Sequence, residues 1–411
     1  MLKFIYLLTI SLFMSNYLVA QYQCNDYLLL DGMEPLKSIG MDTTRNWWAI
    51  SEPFAGMSRI TISGKQSKTY NDISTPIFSP DGNKWAFFAE DNPTLYLVTN
   101  DTSISLGYGK PGKIVFSGNS EHFAYSYYQN NTEYIHLNDK KYEIINGVKD
   151  VFIDYYGTNL AFAIRKGYNL YAVKNYTEYG IYDEIKILGF DDNSKIVYAA
   201  KSGNGWQFYK DDKVISDIYE NVSEVKANLE GTVFAALVLN LAGKYQSVLI
   251  SDEYYEPLVG APFDGAIGLA LHPTLALFAY VGKRNLINYI VYNSAEYVSG
   301  EFSGKPHFSW DGEELYYISC DIDCYIGING KKYLLNNVID IGTNLAIAPG
   351  TNTYAYSTSS SLVVAKLDAK GLTAGMMVDK LINPRFNHFE NRYETLGVIN
   401  NKLYLMTCKP K

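Results

Sequence analysis

Three pairs of neighbouring carboxylates come closest to a catalytic arrangement in this sequence. Two carboxylates about 5–9 Å apart can act as acid and base in glycoside hydrolysis, and a group of roughly six to eight oxygens can bind calcium. All three pairs stand in polar segments between apolar runs, where Asp commonly closes a turn by bonding to its own backbone. They are Asp191 with Asp192, Asp211 with Asp212, and Asp321 with Asp323. We interpret them as turn residues and predict no metal-binding or catalytic residue among them.

Histidine and tryptophan offer two further kinds of chemistry. His272 and His307 each adjoin a short apolar segment that we expect to line a central channel, where a lone histidine usually serves as a hydrogen-bonded filler. The tryptophans could stack on sugar rings, but their place in or beside apolar strands favours packing. They are Trp47, Trp48, Trp85, Trp206 and Trp310. The sequence has no GxSxG, HExxH or Walker motif, so we predict neither a catalytic residue nor a cofactor.

The four cysteines are better explained as disulfides than as metal ligands. They are Cys24, Cys320, Cys324 and Cys408, and no histidine lies close to the pair at 320 and 324. Zinc sites require closely paired Cys or His ligands. An even cysteine count in an exported protein favours disulfide pairing.

The N-terminus indicates export. Lys3 precedes an apolar run over 4–14, and small residues lead to Ala20, which is the order of a secretory signal peptide. We predict a leader over 1–20 and one mature domain over 21–411. No later stretch reaches the ~20 apolar residues of a membrane helix, so we expect a secreted or periplasmic protein without a membrane span.

The elements that must position these residues follow from an internal repeat. The segment from Phe78 reads FSPDGNKWAFFA and that from Phe308 reads FSWDGEELYYIS, with weaker copies from Phe116, Phe152 and Phe190. Each is a short apolar strand, a polar turn and a second apolar strand. Ten second-strand positions can be aligned. The first nine run from Ala49 to Ala355, which is 306 residues (355 − 49) in eight steps, so the period is about 38. Such periods are typical of solenoids and propellers.

Each interval also holds a second hairpin, such as YIGINGKKYLL from Tyr325. Helical periodicity is missing from nearly the whole sequence. Four short strands in about 38 residues predict an all-β fold, a single closed β-propeller of four-stranded blades. The repeat count suggests ten blades within a range of eight to ten, and two smaller propellers are the alternative.

The segments FSPDGNKWAFFA and FSWDGEELYYIS resemble the strand–turn–strand signature of TolB-like, WD-repeat-like β-propellers of exported proteins. The resemblance covers most of the mature chain. It implies a propeller fold and often recognition of proteins or polymers, and it brings no shared catalytic residues.

The repeat also predicts how the cysteines pair. Cys320 and Cys408 each lie four residues after an aligned second-strand position, Tyr316 and Tyr404, and Cys24 precedes a hairpin-like segment as Cys324 does. We therefore expect disulfides Cys320–Cys324 and Cys24–Cys408. The terminal strands would close one composite blade, with two strands from each end of the chain.

Composition narrows the function. The chain is 47% hydrophobic and carries a net charge of -8, so a disordered chain or a nucleic-acid-binding protein is disfavoured. We expect a monomeric, non-enzymatic scaffold that binds a protein, peptide or polysaccharide. The alternative is an extracellular hydrolase or lyase with carboxylates in the channel. Sequons that could carry glycans are Asn100, Asn130, Asn175 and Asn221.

Overall fold

The computed structural model shows an all-β protein. It describes residues 22–410 except 32–33, 43–45, 146–147, 229, 255, 310, 335–344, 352, 358–360, 367–371, 375 and 389. These residues form 43 β-strands and no helix, and thus no helix that could cross a membrane. The predicted leader over 1–20 lies outside the described residues. The described residues from Met41 to Leu335 form one compact unit, and those up to Gly40 with those after 335 form a second.

The larger unit contains eight consecutive antiparallel meanders, numbered here as blades 1 to 8. Strand β2 (Leu36–Met41) lies at the boundary between the two units. The strands of the first four blades are: blade 1, β3 (Trp47–Ser51), β4 (Arg59–Ile62) and β5 (Lys65–Gln66); blade 2, β6 (Asp72–Ile73), β7 (Ile77–Phe78), β8 (Trp85–Asp91), β9 (Thr94–Thr99) and β10 (Ser103–Gly107); blade 3, β11 (Lys110–Phe116), β12 (Phe123–Gln129), β13 (Thr132–Leu137) and β14 (Lys140–Ile145); blade 4, β15 (Val148–Ile153), β16 (Leu160–Lys166), β17 (Asn169–Lys174) and β18 (Thr177–Tyr182).

Blades 5 and 6 are joined in one sheet by the pairing of Trp206 with Tyr219. The remaining strands of this unit are: blade 5, β19 (Glu184–Phe190), β20 (Ile196–Ser202), β21 (Gly205–Lys210) and β22 (Lys213–Val214); blade 6, β23 (Tyr219–Ala227), β24 (Phe234–Asn240), β25 (Tyr245–Ile250) and β26 (Leu258–Val259); blade 7, β27 (Gly265–Leu271), β28 (Phe278–Arg284), β29 (Ile287–Tyr292) and β30 (Ala295–Val298); blade 8, β31 (Phe302–Ser303), β32 (His307–Phe308), β33 (Leu315–Cys320), β34 (Cys324–Ile328) and β35 (Lys331–Leu334).

The smaller unit contains two further blades. Their strands are: blade 9, β36 (Leu345–Ala348), β37 (Thr353–Ser357), β38 (Leu362–Lys366) and β39 (Leu372–Ala374); blade 10, β40 (Lys380–Leu381), β41 (Arg385–Asn387), β42 (Arg392–Ile399), β43 (Lys402–Pro410) and β1 (Tyr22–Asp31). In blades 2, 8 and 10 two short segments share the place of the first strand, and both pair with the second strand.

The apolar core lies between consecutive blades, because each second strand is buried on both faces. In β16, Ala161 and Ala163 pack towards blade 5, whereas Leu160, Phe162 and Ile164 pack towards blade 3. Similar clusters lie between successive blades within each unit. A single sheet could not bury both faces alone, so each blade depends on its neighbours.

The first strands of blades 2 to 8 lie next to one another, each in contact with the next. Antiparallel sheets that repeat in this way, face to face with their first strands adjacent, are the blades of a β-propeller. The predicted all-β fold of four-stranded propeller blades is therefore confirmed. Closure into a single ring and one domain over 21–411 stay predictions.

The arrangement of blade 10 differs from the expected one. Arg392–Ile399 is its second strand, so Tyr404 and Cys408 lie in its third strand, and the N-terminus supplies only the fourth strand, β1. The expectation of two strands from each end of the chain is wrong. Phe386 pairs with Tyr393 in blade 10 as Phe308 pairs with Leu315 in blade 8. Because the aligned position of blade 8, Tyr316, follows Leu315, the corresponding position of blade 10 is Glu394, which follows Tyr393. It lies 39 residues after Ala355 (394 − 355), close to the general period.

Candidate ligand pocket on the first strands

A pocket with a volume of about 400 Å³ lies along the first strands of blades 6, 7 and 8. Strand β23, strand β27 and the segment from Lys305 to Ser309 form its walls. Its polar lining consists of Glu224, Lys226, Asn228, Lys305, His307 and Ser309. Its apolar lining includes the half-buried side chains of Leu271, Pro273 and Phe308.

The carboxylate of Glu224 is held by a bulge in β27. The register of β27 against β28 shifts between Ile267 and Ala270. The bulge turns the backbone N–H groups of Gly268 and Leu269 towards Glu224, and they donate hydrogen bonds of 2.9 and 3.0 Å to its two oxygens. Gly268 has a φ of +71°, and a Cβ there would approach Lys305 Cγ to 2.7 Å, so glycine suits the position.

The two lysines of the pocket have no acidic partner among the residues that the structure describes. Among the described residues, neither Lys226 nor Lys305 forms an ion pair or a side-chain hydrogen bond, and both are exposed. Glu224 is the one carboxylate among the described lining residues, and it is already bonded to two amides. The pocket therefore presents positive charge that no described lining residue compensates.

His307 lies in the wall formed by the segment from Lys305 to Ser309, and its side chain is exposed. Its ring stacks on Tyr316 with centroids 5.7 Å apart. The surrounding protein, and then the positive charges of Lys305 and Lys226, lower the pKa of the His307 imidazole below its usual value. The imidazole is therefore mainly neutral at neutral pH, with both charged neighbours opposing its protonation.

The hydroxyl and amide groups that line the pocket are engaged in turns. Ser309 Oγ donates a hydrogen bond of 2.5 Å to Asp311 and accepts one of 3.0 Å from Glu314 N–H. Asn228 Oδ1 accepts hydrogen bonds from Thr232 and Val233 N–H. Ser309 Oγ is thus bonded to a carboxylate rather than to a histidine, so a histidine base does not activate this hydroxyl.

The carboxylate pairs singled out in the sequence do not enter this pocket. Asp191 caps its turn by accepting hydrogen bonds from Asn193 and Lys195 N–H, and it lies 3.3 Å from Lys210 Nζ. Asp211 accepts a hydrogen bond of 3.2 Å from Ile196 N–H. These roles agree with the interpretation as turn residues.

Asp321 and Asp323 lie in the hairpin turn between β33 and β34. Asp321 accepts a hydrogen bond from Glu301 N–H and donates its own N–H to the carbonyl of Asp323. Among the described residues, no group of three or more His, Cys, Asp or Glu side chains could hold a metal ion.

The two histidines singled out in the sequence have different roles. His307 lines the pocket, whereas His272 is buried and its Nδ1 accepts hydrogen bonds from Thr274 and Leu275 N–H. Burial lowers the pKa of His272. His272 is therefore a turn cap in a position where other blades use Ser, Asp or Asn.

The described tryptophans pack within the protein. Trp206 is buried below the ammonium group of Lys186, and Trp85 stacks on Phe87 with centroids 5.6 Å apart. Trp47 and Trp48 are half-buried in β3. Trp310 lies outside the described residues.

Both predicted disulfides are present. Cys320 pairs with Cys324 across the β33–β34 hairpin, and Cys24 pairs with Cys408 between β1 and β43 at a sequence separation of 384. The predicted pairing is therefore confirmed, although the strands that carry the second disulfide occupy other places in blade 10 than expected.

Sequence reasoning singled out His307 only as a hydrogen-bonded filler beside the channel, and it missed Lys226, Lys305 and Glu224. These three residues are separated by up to 81 positions (305 − 224) and share no motif. The one feature of the sequence that could have indicated them is that all three, like His307, lie in or beside a first strand. Only the contact between first strands of successive blades brings them together.

Comparison of the sequence with protein-family models and with curated proteins gave no match. Among solved structures, the chain is similar to one described as a crystal structure of the eukaryotic initiation factor, with 12% identity, a TM-score of 0.47, and coverage of 76% of this chain and 91% of that one. It is also similar to the structure of the Dos1 propeller, with 11% identity, a TM-score of 0.40, and coverage of 82% and 92%. These values support no functional argument, and the propeller assignment rests on the strand pairing. The relation to TolB-like propellers stays a prediction.

Proposed function

We propose that the protein is an exported, non-catalytic binding module that holds part of a protein, peptide or polysaccharide in the first-strand pocket. The observation that carries the proposal is the pair of lysines, Lys226 and Lys305, which line the pocket without an acidic partner among the described residues. A pocket on rigid strands with polar groups free for a ligand is typical of a binding site.

The chemistry of the lining supports binding rather than catalysis. The described lining residues include one carboxylate, Glu224, whose oxygens already accept two backbone hydrogen bonds. An acid–base pair of carboxylates, which the hydrolase or lyase alternative needs, is therefore not available among them. The two disulfides support an oxidising compartment, as proposed from the leader over 1–20.

A pocket-filling variant tests the proposal. Ala227 lines the pocket and is exposed, so Ala227→Trp should fill part of the space. Ala242, an exposed residue of the β24–β25 turn, provides the matched control Ala242→Trp. Binding to a panel of glycans and peptides should be lost in the first variant and kept in the second, with every ligand recovered intact. Cleavage of a ligand, or binding that Ala227→Trp leaves unchanged, would overturn the proposal.

A further inference from the structure

We infer that the first-strand pocket binds the carboxylate of a uronic acid residue in an acidic polysaccharide. This inference rests on the proposed binding function and specifies its ligand. It depends on the charge of the pocket, on its size and apolar lining, and on the short, irregularly paired strands of its walls.

The charge of the pocket favours an anion. Lys226 and Lys305 face the same space, while Glu224 is satisfied by the Gly268 and Leu269 amides. Two ammonium groups in one concave site repel each other, and an anionic ligand group would relieve that repulsion. The protein as a whole carries a net charge of -8, so this positive site is a local feature.

The size and lining favour a sugar ring attached to the anion. A volume of about 400 Å³ exceeds the need of an inorganic anion and lies in the usual range of small-molecule sites. Leu271, Pro273 and Phe308 contribute apolar surface to the lining. The C–H face of a pyranose ring can pack on such a surface while its carboxylate meets the lysines.

The walls are unsuited to an extended peptide, which normally binds by pairing its backbone with a strand edge. Strand β32 has only two residues, and β27 turns two of its N–H groups towards Glu224. The register of β23 also shifts between Val222 and Glu224. No long, regular edge therefore borders the pocket among its described residues, whereas a sugar needs none.

Isothermal titration calorimetry with four ligands tests the inference. The ligands are an oligogalacturonate, its neutral methyl ester, a dextran sulfate and a polyglutamate peptide. The double variant Lys226→Ala/Lys305→Ala should bind oligogalacturonate about a hundredfold more weakly, since each charged hydrogen bond contributes about tenfold. The double variant Lys195→Ala/Lys332→Ala removes two other exposed lysines and should bind normally.

Each remaining outcome has a distinct meaning. Tighter binding of the neutral methyl ester than of the oligogalacturonate would overturn the charge assignment. The binding function would stand in that case if Ala227→Trp still abolishes binding of the ester. Equal or tighter binding of dextran sulfate or polyglutamate would overturn the assignment of a carboxylated sugar. Recovery of cleaved oligogalacturonate would overturn the non-catalytic function while the ligand assignment stands. Equal affinities in both lysine double variants would also contradict the inference.

Discussion

One polar side chain closes the turn between the first and second strands in successive blades, and its type varies from blade to blade. Ser79 accepts a hydrogen bond from Lys84 N–H, Asp154 from Thr158 N–H, and His272 from Thr274 N–H. All three are buried. Because an acceptor at this place is what the turn requires, residues that look like catalytic candidates in the sequence serve as caps.

Asparagines with a positive φ recur in the turns between later strands, and their side-chain hydrogen bonds predict which of them stabilise the fold. Asn175 has a φ of +55°, accepts a hydrogen bond from Leu160 N–H and donates one to Asn159. Asn130 has a similar φ of +48°, is exposed, and forms no side-chain hydrogen bond among the described residues. Asn175→Ala should lower the free energy of unfolding by about 1–3 kcal/mol more than Asn130→Ala. Urea denaturation measures the difference, and equal losses would contradict the role of the side-chain bonds.

The same contrast applies to glycosylation. The side-chain amide nitrogen of Asn175 is engaged in a hydrogen bond, whereas Asn130 and Asn221 are exposed. Mass spectrometry of protein from a glycosylating host should therefore find glycans on Asn130 or Asn221 in preference to Asn175. A fully occupied Asn175 in folded protein would contradict this expectation.

His307 predicts a pH dependence of ligand binding. Its pKa in the free protein is lowered by the surrounding protein, which displaces part of its water, and then by Lys305 and Lys226. The other groups beside it are Glu224 and Tyr316. A bound carboxylate would raise this pKa, because an opposite charge favours the imidazolium. Binding then takes up a proton, so affinity should rise as pH falls through the pKa of the complex and level off below that of the free protein.

Titration of oligogalacturonate between about pH 8 and pH 5.5 measures this effect. The wild type should bind more tightly at the acidic end, because the bound carboxylate raises the imidazole pKa that the surrounding protein, and then Lys305 and Lys226, lower in the free protein. His307→Gln keeps a hydrogen-bonding side chain but cannot titrate, and its affinity should stay level. A slope retained in His307→Gln would assign the proton uptake to another group.

At the scale of the element, blade 10 contains a buried ion cluster at a position where the other aligned residues are Ala, Val or Tyr. Glu394 is 2% exposed and contacts Arg385 at 3.0 Å and Arg392 at 2.8 Å, with Asn387 donating a further hydrogen bond. Removing the charge of one partner in a buried cluster leaves the other charges uncompensated. Glu394→Gln should therefore cost about 3 kcal/mol of unfolding free energy.

The exposed pair of Asp31 and Lys402 in the same blade provides the control. Its side chains are 58% and 40% exposed at an N–O distance of 3.0 Å. Asp31→Asn should change stability by less than about 1 kcal/mol, because solvent screens the pair. Chemical denaturation of both variants checks the contrast, and a comparable loss in Asp31→Asn would contradict it.

Blade 10 also shows how far the sequence could predict the elements. The sequence pattern identifies the blades with Ala, Val or Tyr after the first strong apolar residue, because a second strand buried on both faces favours apolar side chains. Glu394 occupies that place in blade 10, so the pattern passes over Arg392–Ile399 and aligns Tyr404 in its stead. A buried carboxylate satisfied by two arginines has no apolar signature.

The pocket was predictable only in part for a related reason. His307 adjoins the recognisable segment FSWDGEELYYIS, whereas Glu224 and Lys226 follow a register shift in β23 and Lys305 lies between the two-residue strands β31 and β32. Strand periodicity fails where a bulge inserts an extra residue. Residues that follow a bulge or lie between very short strands are therefore the ones that sequence patterns locate least well.

At the scale of the whole molecule, the two disulfides differ in the length of chain that each one closes. Cys24–Cys408 encloses a sequence separation of 384, whereas Cys320–Cys324 encloses 4. Cross-linking distant residues restricts the unfolded chain much more than cross-linking near neighbours. Chain-entropy scaling gives about 5–6 kcal/mol for the long loop as an upper figure.

Two double variants compare these contributions without leaving a free thiol. Cys24→Ser/Cys408→Ser should lower the Tm by roughly 5 °C, because about 1 kcal/mol shifts the Tm of a chain of this length by about a degree. Cys320→Ser/Cys324→Ser should lower it by less than about 2 °C, since its loop is too short to restrict the unfolded chain much. Differential scanning calorimetry of both, with peptide mapping to verify the remaining disulfide, measures the difference. Equal shifts, or a larger one for the short loop, would mean that local packing around each cystine outweighs the restriction of the unfolded chain.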